Sequence, residues 1–117
     1  NAIAKFAESH AAFANGEYVY SAKRLKEALA IEPDIGLYNF RLEEFYSDRS
    51  QLDRRLRDLE HMTKLRPDDA QKQFLLGYVY YFDGRYTESA NTLLQVLTAS
   101  PDYDAARNLL KLARLQS

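Results

Sequence analysis

The chain has 117 residues, enough for one domain or for a segment of a larger protein. Its 16 Lys and Arg residues nearly balance 17 Asp and Glu residues, which leaves a formal net charge of −1. This balance disfavours nucleic acid as a partner, because phosphate binding needs a strong positive field. The absence of cysteine excludes disulfides and cysteine-based zinc sites. No apolar run approaches the ~20 residues that span a bilayer, so we expect no membrane insertion.

The first two predicted helices form a hairpin over residues 2–14 and 17–31. Gly16 lies between them, and glycine permits the left-handed backbone that ends many helices. Because the first helix begins almost at Asn1, we expect the chain to be part of a longer protein.

The next predicted hairpin covers residues 36–47 and 51–65, with Asp48 or Ser50 available as an N-cap for its second helix. A third hairpin follows, reversing at Gly84, and a last helix closes the chain. These elements are predicted over residues 70–82, 86–98 and 104–115.

A period of 34 residues connects these elements. The chain has three prolines, each followed by aspartate, and they are Pro33, Pro67 and Pro101. Proline removes a backbone donor and ends a helix, so the three mark equivalent stops. Two apolar columns share the interval: Phe6, Phe40 and Phe74, and Leu25, Leu59 and Leu93. A fixed period of this length indicates a helical repeat.

In its third copy the pattern resembles the tetratricopeptide repeat. The matching residues are Leu76, Gly77, Tyr80, Gly84, Tyr86, Ser89, Leu93, Val96 and Pro101. The first copy keeps the second half of the pattern in Gly16, Tyr18, Ser21, Leu25, Ala28 and Pro33, and the middle copy keeps Leu42, Tyr46, Leu59 and Pro67. Gln73 replaces the leading tryptophan of the family, and Glu8 and Ser9 replace its Leu-Gly pair in the first copy.

The resemblance implies an all-α fold: a right-handed α–α superhelical solenoid of three tetratricopeptide-like hairpins plus a C-terminal capping helix, seven helices in all. The chain is then a single domain over residues 1–117, with repeats at about 2–35, 36–69 and 70–103 and a closing helix at 104–115. Such hairpins are stable only as a stack, because one pair cannot bury its apolar face alone.

Small residues allow the two helices of such a hairpin to approach closely. The resemblance implies that Gly77 and Ser89 face each other in the third hairpin. Glu43 and Arg55 occupy the same positions in the middle copy. We expect these two charged residues to pair with each other, or else to splay the hairpin and reach solvent.

In this family the first helices of successive hairpins line a concave surface that holds ligands. The residues implied for a peptide-binding groove are Phe6, His10, Phe13, Phe40, Glu44, Phe74, Tyr78 and Tyr81. The Lys, Arg and Asn residues that grip a terminal carboxylate in some family members are absent from these columns. The groove therefore suits an apolar or amphipathic peptide. An aromatic stripe at helical spacing is also typical of a core, so the same residues allow a structural interpretation.

Two functions remain open at this point. The first is a non-catalytic scaffold that binds a protein or peptide partner in the aromatic groove. The second is a structural segment whose groove is filled by a second copy, as in a homodimer, or by another part of a longer protein. An accessory domain of a larger enzyme is compatible with either function.

Catalytic and metal sites are not indicated by the sequence. His10 and His61 are the only histidines, and neither has a second ligand at a useful spacing. Glu43 and Glu44 are adjacent and point to different faces of a helix, so they do not form a catalytic pair. We therefore expect no enzyme activity, no cofactor and no metal.

Overall fold

The computed structural model describes residues 1–35 and 40–117, and these residues form an all-α fold of packed helical hairpins. The described residues hold six α-helices and no strand. The helices are α1 (Ala2–Ala14), α2 (Tyr18–Ile31), α3 (Arg49–Leu65), α4 (Ala70–Phe82), α5 (Tyr86–Ala99) and α6 (Asp104–Gln116). Each begins and ends within three residues of a predicted helix. The all-α prediction and these six helices are confirmed.

Several predicted helix signals have the expected geometry. Gly16 and Gly84 adopt φ angles of 78° and 80°, the left-handed conformation that glycine reaches at low cost. Asp48 is the N-cap of α3, and its carboxylate accepts a hydrogen bond from the Gln51 N–H. Asp69, which was not among the predicted N-caps, caps α4 in the same way through the Lys72 N–H. Local residues therefore determine where these helices begin and reverse.

Small residues hold the first and last hairpins together. The Ser89 hydroxyl donates a hydrogen bond of 2.7 Å to the Gly77 carbonyl, which joins α5 to α4 as predicted. In the first hairpin the Ser9 and Ser21 hydroxyls each donate to the other residue's carbonyl at 2.8 Å. Both serines are fully buried. These contacts satisfy buried polar groups while the helix backbones lie close together.

Helix α4 lies at the centre of the fold and contacts α2, α3, α5 and α6. Eight consecutive residues of this helix, 73–80, are buried. Burial on every side of a helix is typical of a core element and not of a surface helix. The hydrophobic core is therefore organised around α4.

The middle repeat differs from the prediction of a helix over residues 36–47. Residues 36–39 of that helix lie outside the described residues. Within 40–47 the chain forms only a short 3-10 helix, Leu42–Phe45, flanked by the extended residues Arg41 and Tyr46. The predicted seventh α-helix is thus absent from the described part of this segment. The physical reason is that the middle copy lacks the small residues at which the other hairpins close.

The expected pairing of Glu43 with Arg55 is also wrong. The Arg55 guanidinium donates a 2.9 Å hydrogen bond to the Ala14 carbonyl and lies 3.9 Å from the Asp58 carboxylate. Glu43 is exposed, and no ion pair joins it to Arg55 among the described residues. Arg55 instead places a positive charge at the C-terminal end of α1, where the helix dipole favours a cation.

Arg55→Ala should lower the free energy of unfolding by about 1 kcal/mol, because it removes a charged hydrogen bond at a partly exposed helix end. Glu43→Ala should change it by less than about 0.5 kcal/mol, as expected for an exposed side chain. Chemical denaturation of both single variants and the double variant measures these effects. Additive effects are expected, whereas an interaction energy above about 1 kcal/mol would restore the predicted pair.

Candidate binding cleft

Helices α1 and α4 contact each other through buried side chains. His10 Nε2 and Tyr78 Oη are joined by a 2.7 Å hydrogen bond, and both side chains lie in the interior. The rings of Phe6 and Tyr78 are stacked with centroids 6.5 Å apart. These two helices are the first helices of the first and third repeats.

Phe40 packs against the same two helices. Its ring centroid lies 5.1 Å from that of Phe6 and 4.8 Å from that of His10, both on α1. It also lies 5.5 Å from the ring of Phe82 at the end of α4. The contacts with His10 and Phe82 are edge-to-face, a favourable arrangement for aromatic rings. We call these side chains the aromatic cluster: Phe6, His10, Phe40, Tyr78 and Phe82.

An open cleft of about 360 Å³ borders the aromatic cluster, and we call it the α1 cleft. It is lined by Ile3, Ala7, His10, Phe40, Arg41, Glu44 and Phe45. Helix α1 supplies Ile3, Ala7 and His10, whose spacing of four and three residues places them on one helix face. The non-helical segment after residue 39 supplies the other four residues.

The α1 cleft combines exposed apolar surface with two opposite charges. Ile3 is 58% exposed and Phe45 is 37% exposed, although both are large apolar side chains. Arg41 and Glu44 are exposed and charged. A partner that covers the two apolar side chains would remove their surface from water and gain free energy roughly in proportion to the area covered.

His10 at the base of this cleft is neutral near physiological pH. Burial lowers the pKa of His10 to about 4, because desolvation disfavours the imidazolium ion. Burial also raises the pKa of Tyr78 well above its ordinary value. The His10 Nδ1 atom is buried and finds no hydrogen-bond partner within the described chain. The two groups are thus an uncharged, desolvated pair that holds α1 against α4.

Most of the residues predicted to form a peptide-binding groove lie in the interior. Phe6, His10, Phe13, Phe74 and Tyr78 are at most 4% exposed. Phe40 and Tyr81 are half-buried, and Glu44 is exposed. In this conformation the five buried side chains pack within the protein and are not available to a ligand. The direct contact between α1 and α4 covers Phe6, His10 and Tyr78. Aromatic neighbours elsewhere in the fold cover Phe13 and Phe74.

The predicted groove residues belong to several separate contacts. His10, Phe40 and Glu44 come together at the α1 cleft. Phe13 instead packs on Tyr18, Phe74 packs on Tyr103, and Tyr81 lies between Phe82 and Tyr86, with ring centroids 5.0–5.5 Å apart. The structure therefore does not assemble the eight residues into one surface.

The cleft includes residues that the sequence prediction did not select. Ala7 lies one turn before His10 on the same face of α1, so helical spacing contains the signal for it. Arg41 and Phe45 had no such signal, because an α-helix over residues 36–47 was assumed and the 3-10 geometry turns side chains differently.

A second cleft, of about 490 Å³, lies between α3, α4 and α5. Its polar groups are used inside the fold. The Tyr80 hydroxyl donates to the Glu60 carboxylate, and the Gln73 amide donates to the Thr63 carbonyl at 3.4 Å. These polar side chains are therefore already hydrogen-bonded within the protein and are less available to a ligand.

Comparison with known proteins gave no match, either to a protein-family model or to a curated protein. In the described residues, no three or more His, Cys, Asp or Glu side chains are grouped as a metal site would require. The same part of the chain has no helix with the length and apolarity needed to cross a bilayer. The fold therefore places this protein in a broad class, the all-helical proteins built from packed hairpins.

Proposed function

We propose that this protein is a non-catalytic protein–protein interaction module, built from a degenerate tetratricopeptide-like array, that binds a peptide or an amphipathic helix at the α1 cleft. The observation that carries the proposal is the exposure of Ile3 and Phe45, two large apolar side chains that line this cleft. Large apolar side chains at a concave site are typical anchors for a peptide.

The chemistry of the α1 cleft defines the segment that fits it. A volume of about 360 Å³ accommodates one or two side chains and not a folded domain. Ile3, Ala7 and Phe45 favour an apolar side chain. Arg41 and Glu44 supply one charge of each sign, which favours a segment carrying polar or charged residues beside its apolar anchor.

The structural interpretation is the second candidate. It is supported by the burial of Phe6, Phe13, Phe74 and Tyr78, since the face expected to hold a ligand is filled from within the chain. A structural segment of this kind binds no external ligand through its aromatic side chains. Its exposed side chains would instead contact a second copy of the chain or another part of a longer protein.

Ile3→Glu should weaken the binding of a selected peptide at least tenfold, because it places a charge on the apolar wall of the α1 cleft. Peptides would be selected from a random phage-displayed library against the immobilised wild-type chain, and affinities measured by fluorescence anisotropy. Val19→Glu is the matched control, since Val19 is 69% exposed on α2 and lies outside the cleft.

Two outcomes contradict the proposed function. One is the failure of the library to yield a peptide whose binding differs between Ile3→Glu and Val19→Glu. The other is a concentration-dependent dimer, detected by sedimentation, that Ile3→Glu converts to a monomer. The second outcome would show that the cleft is covered by another copy of the chain, as the structural interpretation requires.

A further inference from the structure

The segment from Phe40 to Tyr46, here called the strap, is held on the fold mainly by a few side chains. Leu42 is buried, and Phe40 and Tyr46 are half-buried against the hydrophobic core, whereas Arg41, Glu43, Glu44 and Phe45 are exposed. Among the residues that the structure describes, its local backbone hydrogen bonds are Glu44 N–H to Arg41 O and Tyr46 N–H to Glu43 O, both 3.2 Å between the heavy atoms. Segments with few buried contacts open at a lower free energy than the core does.

The site that receives Phe40 belongs to other elements of the fold. Phe6 and His10 come from α1, and Phe82 comes from the end of α4. The 2.7 Å hydrogen bond between His10 and Tyr78 joins these two helices independently of the strap. The Phe40 seat, meaning Phe6, His10 and Phe82, is therefore preorganised, and preorganised sites lose little entropy on binding.

The chemistry of the Phe40 seat selects an aromatic side chain. Its three rings surround Phe40 with centroid distances of 4.8 to 5.5 Å, two of them edge-to-face. Such contacts favour an aromatic ring over an aliphatic side chain of similar area. The seat also adjoins the α1 cleft, because His10 of the seat and its occupant Phe40 both line the cleft.

We infer that the Phe40 seat is a recognition site for an aromatic side chain of a partner segment, and that Phe40 is an internal occupant that this side chain displaces. The inference rests on the proposed function, since the partner segment enters through the α1 cleft. Phe40 then acts as a competitor tethered to the site. The partner binds only those molecules in which the seat is empty, so a smaller empty fraction gives a lower apparent affinity.

The experiment uses Phe40→Ala, which empties the seat, and N-acetyl-phenylalanine amide as the probe. Binding is followed by NMR through the ring signals of Phe6, His10 and Phe82. The variant should bind the probe at least tenfold more tightly than the wild type does, because the tethered competitor is gone. N-acetyl-alanine amide, which lacks the ring, should leave these signals unchanged in both proteins.

Circular dichroism verifies that Phe40→Ala is folded, and Phe40→Leu, which keeps an apolar side chain, provides a second variant with an expected intermediate affinity. Equal probe affinity in wild type and in both variants would overturn the inference. A wild-type dimer that Phe40→Ala dissociates would also overturn it, because the seat would then hold Phe40 of a second copy. Neither result depends on Ile3→Glu, so a failure here is distinguishable from a failure of the proposed function.

Discussion

Acidification from pH 7 to pH 4 should lower the free energy of unfolding of the wild-type protein by about 3 kcal/mol through His10 alone. In the folded protein burial lowers the pKa of His10 to about 4, against an ordinary value of 6.5. Between these two values the unfolded chain binds a proton that the folded protein does not. The contribution of His10 to the free energy of unfolding is therefore fully present above pH 6.5 and is lost as the pH falls toward 4.

His10→Gln isolates this contribution. Glutamine does not titrate, and its amide can still form a hydrogen bond with Tyr78 Oη. Carboxylates that lose stabilising partners in acid contribute equally to both proteins and cancel in the comparison. Urea denaturation at several pH values should therefore show a difference between wild type and variant that changes by about 3 kcal/mol from pH 7 to pH 4. Parallel pH profiles would show that His10 is not buried between α1 and α4.

Gly77→Ala should lower the free energy of unfolding by about 1 kcal/mol, the difference between a packing cost of about 2 kcal/mol and a gain of about 1 kcal/mol in helix propensity. A Cβ atom at Gly77 would lie 2.8 Å from Leu93 Cδ2 and 2.9 Å from Leu93 Cγ, and Leu93 is fully buried. Overpacking of this kind typically costs about 1–3 kcal/mol. Replacing glycine by alanine in a helix gains about 1 kcal/mol in helix propensity. The packing cost is the larger of the two when the buried Leu93 side chain cannot move. Thermal and chemical denaturation measure the effect.

Leu93→Ala provides the background that tests the cause. Removing the Leu93 side chain relieves the clash, so Gly77→Ala should cost about 2 kcal/mol less in this background than in the wild type. Gly84→Ala is the matched control, because a Cβ there meets nothing within 4 Å and its cost comes from a φ angle of 80°. That cost should be the same in both backgrounds. An equal cost of Gly77→Ala in both backgrounds would contradict the proposed contact.

Local signals in the sequence were sufficient for six of the seven predicted helices. Gly16, Gly84 and the capping aspartates Asp48 and Asp69 determine helix ends through interactions within a few residues. The resemblance to the tetratricopeptide repeat also implied the contact between Gly77 and Ser89, which the structure contains. Short-range chemistry and a fixed period therefore predicted the hairpins.

The candidate site depended on one local exception to the period. Phe40 and Leu42 match the repeat columns, yet Glu43 stands where the other copies carry a small residue. The aromatic columns were predicted to lie on one face of each first helix. Periodicity does not determine whether such a face meets solvent, a ligand or another helix, since all three require the same apolar residues.

By itself the sequence determined the all-α class, the positions of six helices and the small-residue contact that closes the third hairpin. These features arise from residues close in the chain or repeated at a fixed interval. Only the tertiary structure decided that α1 packs directly on α4, that His10 bonds to Tyr78 across 68 residues, and that Ile3 and Phe45 border an open cleft. The reason is that these contacts join side chains far apart in the chain, and neither local helix signals nor a fixed period determines which apolar faces meet.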